Sequence, residues 1–420
     1  MGKFSLTDTS AMFLTLFEGR SANMYNSENV LEGRIKKNYK FVGKQMNLET
    51  QLSFAGGVGA ALLPVANTSK VEQQVVTAKK VYARCLVDRE SLKAASSTKG
   101  AFQTFMGFPI KKTVESYMRN LSRINFGDST GILGRGDGAT NVTGAGTSGN
   151  PYVVVIRESD WNLANWEEKD YVQYVSGMAA NANTGGTAEG GTSTTNLLEI
   201  VAVDPSTRSI SLVGVSTALA AIAGLDPVAT TAGFAMQRSY LSEPQGLKSV
   251  LMATSGSLYG ITVQRRWQAT QVDAAGAGII TDMMNEVMLG VEKKFGKVPN
   301  MIVCNYNQFQ KILAQLEDQK RYQLPNRNIK GNLSFSGVEF MSTRGPVGIF
   351  TDRFCDEDKI YFLNDNFISR SHRPDFGWFK DDGTVFLRAA DLDEYEARYG
   401  GYFENVIVPT AHGVLYNLAK

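Results

Sequence analysis

A chain of 420 residues, 43% of them hydrophobic, can bury more than one core and is not a disordered sequence. Its 43 Lys plus Arg stand against 41 Asp plus Glu, and a net charge of +2 excludes a generally basic nucleic-acid coat, so any DNA contact must be a local patch. Three cysteines without a C-x-x-C pair fit a reducing compartment, residues Met1 to Glu18 lack the charged start and apolar run of a signal peptide, and no apolar run reaches the ~18 residues of a membrane span.

Residues 1–45 are mixed, with a basic cluster at Arg34, Lys36, Lys37 and Lys40. Residues 46–100 read as extended: Gly56, Gly57 and Gly59 break any helix, and Val71–Val76 and Val81–Val87 are β-rich. Residues 109–124 predict a helix, with Ile110, Val114, Tyr117, Leu121 and Ile124 on one side and Lys112, Arg119 and Arg123 on the other. Pro109 suits its first turn, where a missing N–H costs nothing. A Gly/Ser/Thr/Asn loop fills 127–150, and residues 151–245 read as a small β unit. Its strands are Pro151–Ile156, Asn196–Val203 and Ser209–Val213, with a hairpin turn at Asp204–Arg208 and a Gly/Thr/Ser stretch over 182–195. Residues 279–295 predict a second helix ended by Gly296, Met301–Cys304 a buried strand, and Phe309, Ile312, Leu313 and Leu316 mark a third helix. Strands separated by charged turns follow, among them Lys359–Leu363 and Thr384–Arg388, and the class is α+β.

Catalytic signals are weak. Gly144–Gly149 matches G-x-G-x-x-G, but a loop precedes it and a strand follows, the reverse of what a dinucleotide site needs. His372 and His412 are the only histidines and read as packed or surface residues, and no zinc spacing exists. Asp381-Asp382-Gly383 reads as a turn, and Asp391 to Glu394 as a solvated acidic edge or a source of inter-subunit salt bridges, ahead of a divalent-cation site. Arg135-Gly136-Asp137 reads as a chance tripeptide in a Gly-rich loop. The expectation is a protein without enzyme activity, cofactor or metal.

The order of segments resembles tailed-bacteriophage major capsid proteins, whose shell fold also forms the floor of herpesvirus capsids. The resemblance runs through Gly59 to Pro64, Gly100-Ala101-Phe102, Phe126 to Gly131, Gln245 to Val250, Leu258 to Ile261, Arg266 to Ala269, Pro299 to Asn305, Ser336 to Phe340, Thr351 to Cys355 and Ile360 to Asn364. It implies an N-terminal arm (1–45), an extended loop (46–100), a peripheral domain with a spine helix (101–150) and an inserted β-rich domain (151–245). An axial domain (246–365) and returning strands of the peripheral and axial domains (366–420) complete it. The implied function is self-assembly into pentamers and hexamers that close an icosahedral head shell around double-stranded DNA. The place is the virion capsid, assembled in the bacterial host cytoplasm, with no membrane. Relatives with a built-in scaffold begin with a long charged helical segment. Nothing before residue 46 reads so, which implies a separate scaffolding protein or none, with portal and decoration proteins as further partners. Leu62, Leu63 and Val65 in the glycine-hinged loop are the expected inter-subunit clamp. Lys112, Arg119 and Arg123 are the expected DNA-facing inner surface. The alternatives are a phage tail or baseplate structural protein, and a hydrolase or adhesin with a β-rich binding domain.

Overall fold

Apolar residues at three- and four-residue steps bury one side of a helix that runs Lys99–Phe126. Ile110, Val114, Tyr117, Met118, Leu121 and Ile124 are all 3% exposed or less in the computed structural model. The structure describes residues 30–38, 41, 43, 45–51, 71–90, 99–137, 144–179, 183–188, 197–214, 232–279, 281–318, 338–372, 376–380, 383, 385–388 and 393–420. They divide into two compact units: one within 1–125, 257–262 and 365–407, the other within 126–256, 263–364 and 408–420.

In the first unit the helix packs on a six-stranded sheet built around the long strand Glu394–Ile407. That strand pairs antiparallel with Lys79–Asp88 over ten residue pairs, from Glu394↔Asp88 to Phe403↔Lys79, and with Ile368–His372 on its other side. Val81, Cys85 and Val87 alternate inward and meet the helix, while Lys80, Tyr82, Arg84 and Leu86 point outward, the period of a half-buried strand. Lys36–Asn38 adds a parallel edge strand against Ile368–His372. The helix begins ten residues before Pro109, so Pro109 sits inside it and not in its first turn. Its ring nitrogen cannot donate to the carbonyl of Phe105, a loss of ~3 kcal/mol in an isolated helix. The apolar face from Ile110 onward, packed on the sheet, offsets that loss.

Gln45–Gln51 and Val71–Thr77 form a separate antiparallel ladder in register from Gln45↔Thr77 to Gln51↔Val71. The region predicted as extended is therefore a hairpin at its two ends, and residues 52–70 lie outside the described residues. Of the predicted strand Thr384–Arg388, only Leu387–Arg388 is paired, with Glu396 and Tyr395. Gly383 has φ +76°, as a turn requires.

In the second unit a six-stranded mixed sheet has the order Thr270–Asp273, Gly413–Tyr416, Ile360–Leu363, Met301–Cys304, Gly345–Thr351, Val338–Ser342. Helices Thr281–Phe295 and Tyr306–Asp318 cover one face through Met284, Val287, Met288 and Ile312. The first of them ends as predicted: Gly296 takes φ +78° and its N–H reaches the Glu292 carbonyl at 2.8 Å. The expected β unit is a closed barrel. Its strand order is Ile132–Arg135, Gly233–Met236, Tyr171–Ser176, Leu198–Asp204, Ser209–Gly214, Tyr152–Val155. An antiparallel bridge between Gly136 and Ile156 joins the last strand to the first. Closure removes the sheet edges, and the interior is filled by Val154, Ile156, Ile200, Ile210, Phe234 and a Trp161–Trp166 stack at 6.4 Å. The barrel draws its first strand from outside the predicted 151–245 segment.

Candidate assembly surfaces

The N-terminal arm, the end of the long helix and two strands meet in a buried polar network. Glu32, on the short 3-10 turn Glu32–Arg34, is 2% exposed, and Arg370 is 0% exposed. The Arg370 guanidinium bonds to the Glu32 carboxylate, donates to Asn125 Oδ1 at 2.7 Å and to Asn405 Oδ1 at 2.8 Å. Asn125 Nδ2 donates to the second Glu32 oxygen at 2.8 Å, and the guanidinium lies 4.8 Å from the Phe403 ring. A charge this deeply buried persists only with its partner in place. The network thus fixes where residues 31–38 enter the fold.

Tyr259 performs the same service at the hairpin base. Its carbonyl accepts from Val75 N at 2.8 Å, and its hydroxyl donates to the Asn405 carbonyl at 2.7 Å. Tyr259 and Gly260 take φ +53° and +83°, the geometry of a tight turn between Ser257–Leu258 and Ile261–Thr262. Burial pushes the Tyr259 phenol well above its ordinary range, so it stays a neutral donor. Sequence reasoning missed both anchors. Tyr-Gly between apolar residues was the one readable signal, and a lone Arg among serines gave none.

Of the predicted clamp residues, Leu62, Leu63 and Val65 lie outside the described residues. The nearby ladder presents Val71 at 55% and Val75 at 36% exposure, with Val76 buried. On the outer face of the first unit's sheet, Tyr82, Phe379 and Tyr402 gather with ring centres 5.7–6.1 Å apart, and Lys80 lies 5.7 Å from the Tyr402 ring. The predicted cationic stripe is only partly on the surface. Lys112 is exposed but paired with Glu115 at 2.8 Å, Arg119 is half-buried, and Arg123 is buried with its guanidinium on Asn120 Oδ1 at 2.9 Å. The hundred-degree wheel misplaced Arg123 because the last turns of the helix are enclosed on more sides than one.

Nothing among the described residues gathers into catalytic chemistry. His372 and His412 are both fully buried, and His412 Nδ1 accepts from Asn364 N at 3.1 Å. Burial raises the Cys304 thiol to about 12 and pushes the Cys355 thiol well up too, leaving poor nucleophiles. Gly144–Gly149 forms a turn closed by the Thr147–Asn150 bridge, without a helix after it. Arg135 is 1% exposed and bonded to Asn183, so it cannot be read by a partner. Asp393 pairs at 3.0 Å with Arg89 of the same chain, while Asp381, Asp382 and Asp391 lie outside the described residues. Among the described residues no group of His, Cys, Asp and Glu has metal-holding geometry, and no helix is long and apolar enough to cross a membrane.

The arrangement of helix, sheet, hairpin and mixed sheet is similar to the chain in a cyanophage A-1(L) capsid asymmetric unit. The two share 10% identity and a TM-score of 0.51, over 92% of this chain and 91% of that one. A chain of Mycobacterium phage Cain aligns over 99% of this chain and 98% of its own, at 12% identity and a TM-score of 0.43. No curated protein matches. The fold is therefore that of tailed-phage major capsid proteins. Residues 214–373 match the family described as SU10 major capsid protein. Fold and family match together mark the chain as a capsid shell protein, and neither favours the tail, baseplate or hydrolase alternatives.

Proposed function

We propose that the chain assembles with itself into pentamers and hexamers that close an icosahedral head shell around double-stranded DNA in the host cytoplasm. It does so without enzymatic activity, alongside a portal and decoration proteins, with a separate scaffolding protein or none. The observation that carries this reading is the family match over 214–373 on a fold of capsid type. The physics is multivalent: modest contacts to several neighbours make a lattice firm although each contact is weak. The Tyr82–Phe379–Tyr402 cluster, with Tyr82 exposed and the other two rings half-buried, and the apolar residues of the hairpin have the composition of such contacts. Negative-stain microscopy and sizing of the purified product test the reading. Closed particles or free capsomers are expected; a small oligomer, rods or rings would overturn it.

The inner surface reading of Lys112, Arg119 and Arg123 is kept for the two that reach solvent. Neutralising Lys112 and Arg119 should leave shells that form but hold DNA less tightly, with a salt dependence shallower by about one unit for each phosphate no longer neutralised. Shells that retain DNA equally at every salt concentration would remove these residues from the DNA-binding surface.

A further inference from the structure

The mixed sheet ends at Thr270–Asp273, which among the described residues is paired on one side only, with Gly413–Tyr416. Thr270 and Ala274 donate inward, to the carbonyls of His412 and Tyr416. Alternation then turns the backbone N–H and C=O of Gln271 and Asp273 outward, where they can template another strand. This edge is lightly guarded: its sequence is Thr-Gln-Val-Asp, with one charge at its end and without Lys, Pro or a bulge.

Helix Thr281–Phe295 runs beside the edge. Gly290 lets it close in, since a Cβ there would stand 2.6 Å from Thr270 Cγ2. Between helix and strand lies a groove of about 460 Å³ lined by Thr270, Val272, Asp282, Glu286, Leu289 and Lys293 among others. Asp282 and Glu286 are exposed, and Leu289 is 39% exposed. The groove thus offers backbone hydrogen bonds, one apolar anchor and two carboxylates near one end.

A segment of matching chemistry exists in the same chain. Residues 319–337 hold Lys320, Arg321, Arg327 and Lys330 without a carboxylate, interleaved with Tyr322, Leu324 and Ile329. The segment joins helix Tyr306–Asp318 to Val338–Ser342, the opposite edge strand of the same sheet. Five strand spacings of ~4.8 Å put the two edges about 24 Å apart. A head-to-tail neighbour is the copy that can present the segment to the groove, and such a heterologous contact builds a ring when the rotation between copies closes.

We infer that residues 319–337 of one copy dock in the groove of the next, extending its sheet at the open edge and setting their cations against Asp282 and Glu286. Lys293 repels cations at the other end, which fixes the direction of docking. The inference rests on the shell reading and supplies a ring contact within a capsomer. Its test uses the native thiols' burial: Cys85, Cys304 and Cys355 are 4%, 0% and 0% exposed, so introduced cysteines react selectively. The full chain carrying Asn285→Cys and Asn326→Cys, treated with a short bismaleimide, should give a ladder of linked chains on a denaturing gel. Leu289→Cys in place of Asn285→Cys should give the same ladder. Adding Asp282→Lys and Glu286→Lys should lower its yield about tenfold. Intrachain product alone, no product from either pair, or a ladder indifferent to the charge reversal would overturn the docking. Micrographs of the unmodified chain keep the two ideas apart. Shells without a ladder overturn the docking and leave the shell reading; a ladder without shells does the reverse.

Discussion

Arg370 carries charge into the interior of its unit and Asp356 holds one half-buried, and each makes a measurable prediction. Replacing Arg370 by Ala strands the Glu32 carboxylate and two amides, so stability should fall by about 3–5 kcal/mol, as urea unfolding would record. Glu32→Gln keeps the shape but leaves the buried Arg370 charge without its counter-ion, so it should cost a similar amount, about 3–5 kcal/mol. Asp356 sits with Lys248 at 3.9 Å, Lys359 at 3.2 Å and the Tyr361 hydroxyl at 3.1 Å. Burial alone would raise its carboxyl, but the two lysines win and hold it at about 2, below the ordinary 3.8. The unfolded chain therefore takes up this proton first. The stabilisation, ~2 kcal/mol, is complete above about pH 4 and is lost as pH falls toward 2. Acid titration of unfolding should show that slope, and Asp356→Asn should flatten it. These residues were not legible in the sequence, because their partners come from distant segments. What composition did convey was how few histidines and cysteines there are, two and three, and the structure adds that all five are buried.

At the scale of elements, periodicity read the structure where the pattern was local. The helix Thr281–Phe295, the strand Met301–Cys304 and the turn after Asp204 follow from apolar spacing, a terminal glycine and an Asp whose carboxylate accepts from Ser206 N at 2.9 Å. Barrel closure was not readable, because it rests on the bridge between Gly136 and Ile156 that no local pattern encodes. Strand directions place the strand ends Arg135, Ser176 and Gly214 at one end of that barrel. The sequence alone suggests that all of 182–195 can be replaced by a short turn. The structure divides that stretch. Asn183 accepts from Arg135 Nε and donates to Asp128, both at 2.5 Å, and Thr187–Ala188 pairs with Val175–Ser176. Shortening 189–195 should leave stability and particle assembly unchanged, since surface connections tolerate length change. Removing Asn183 as well should lower the barrel's melting temperature, because Arg135 is then buried without its amide partner. Loss of particles by the shorter deletion, with the subunit still folded, would instead make 189–195 a lattice contact.

For the molecule as a whole, the question is where the apolar residues of the hairpin go. A two-stranded ladder has no second layer and is marginal alone in water. Among the described residues its base is anchored through Tyr259 and the buried Val76, while Val71 and Val75 remain exposed. Between its strands the sequence places Leu52, Phe54, Leu62, Leu63 and Val65 around Gly56, Gly57 and Gly59. We propose that a neighbouring subunit buries these side chains, each contributing ~1.5–3 kcal/mol. Leu62→Asp with Leu63→Asp should then leave a soluble subunit with an unchanged, cooperative melt that builds no shells, as calorimetry and microscopy of one preparation would show. A double mutant that unfolds or aggregates as an isolated subunit would assign the loop to its own core instead. The two outcomes differ because stability within a chain is lost at any concentration, whereas a contact between chains matters only when many of them act together.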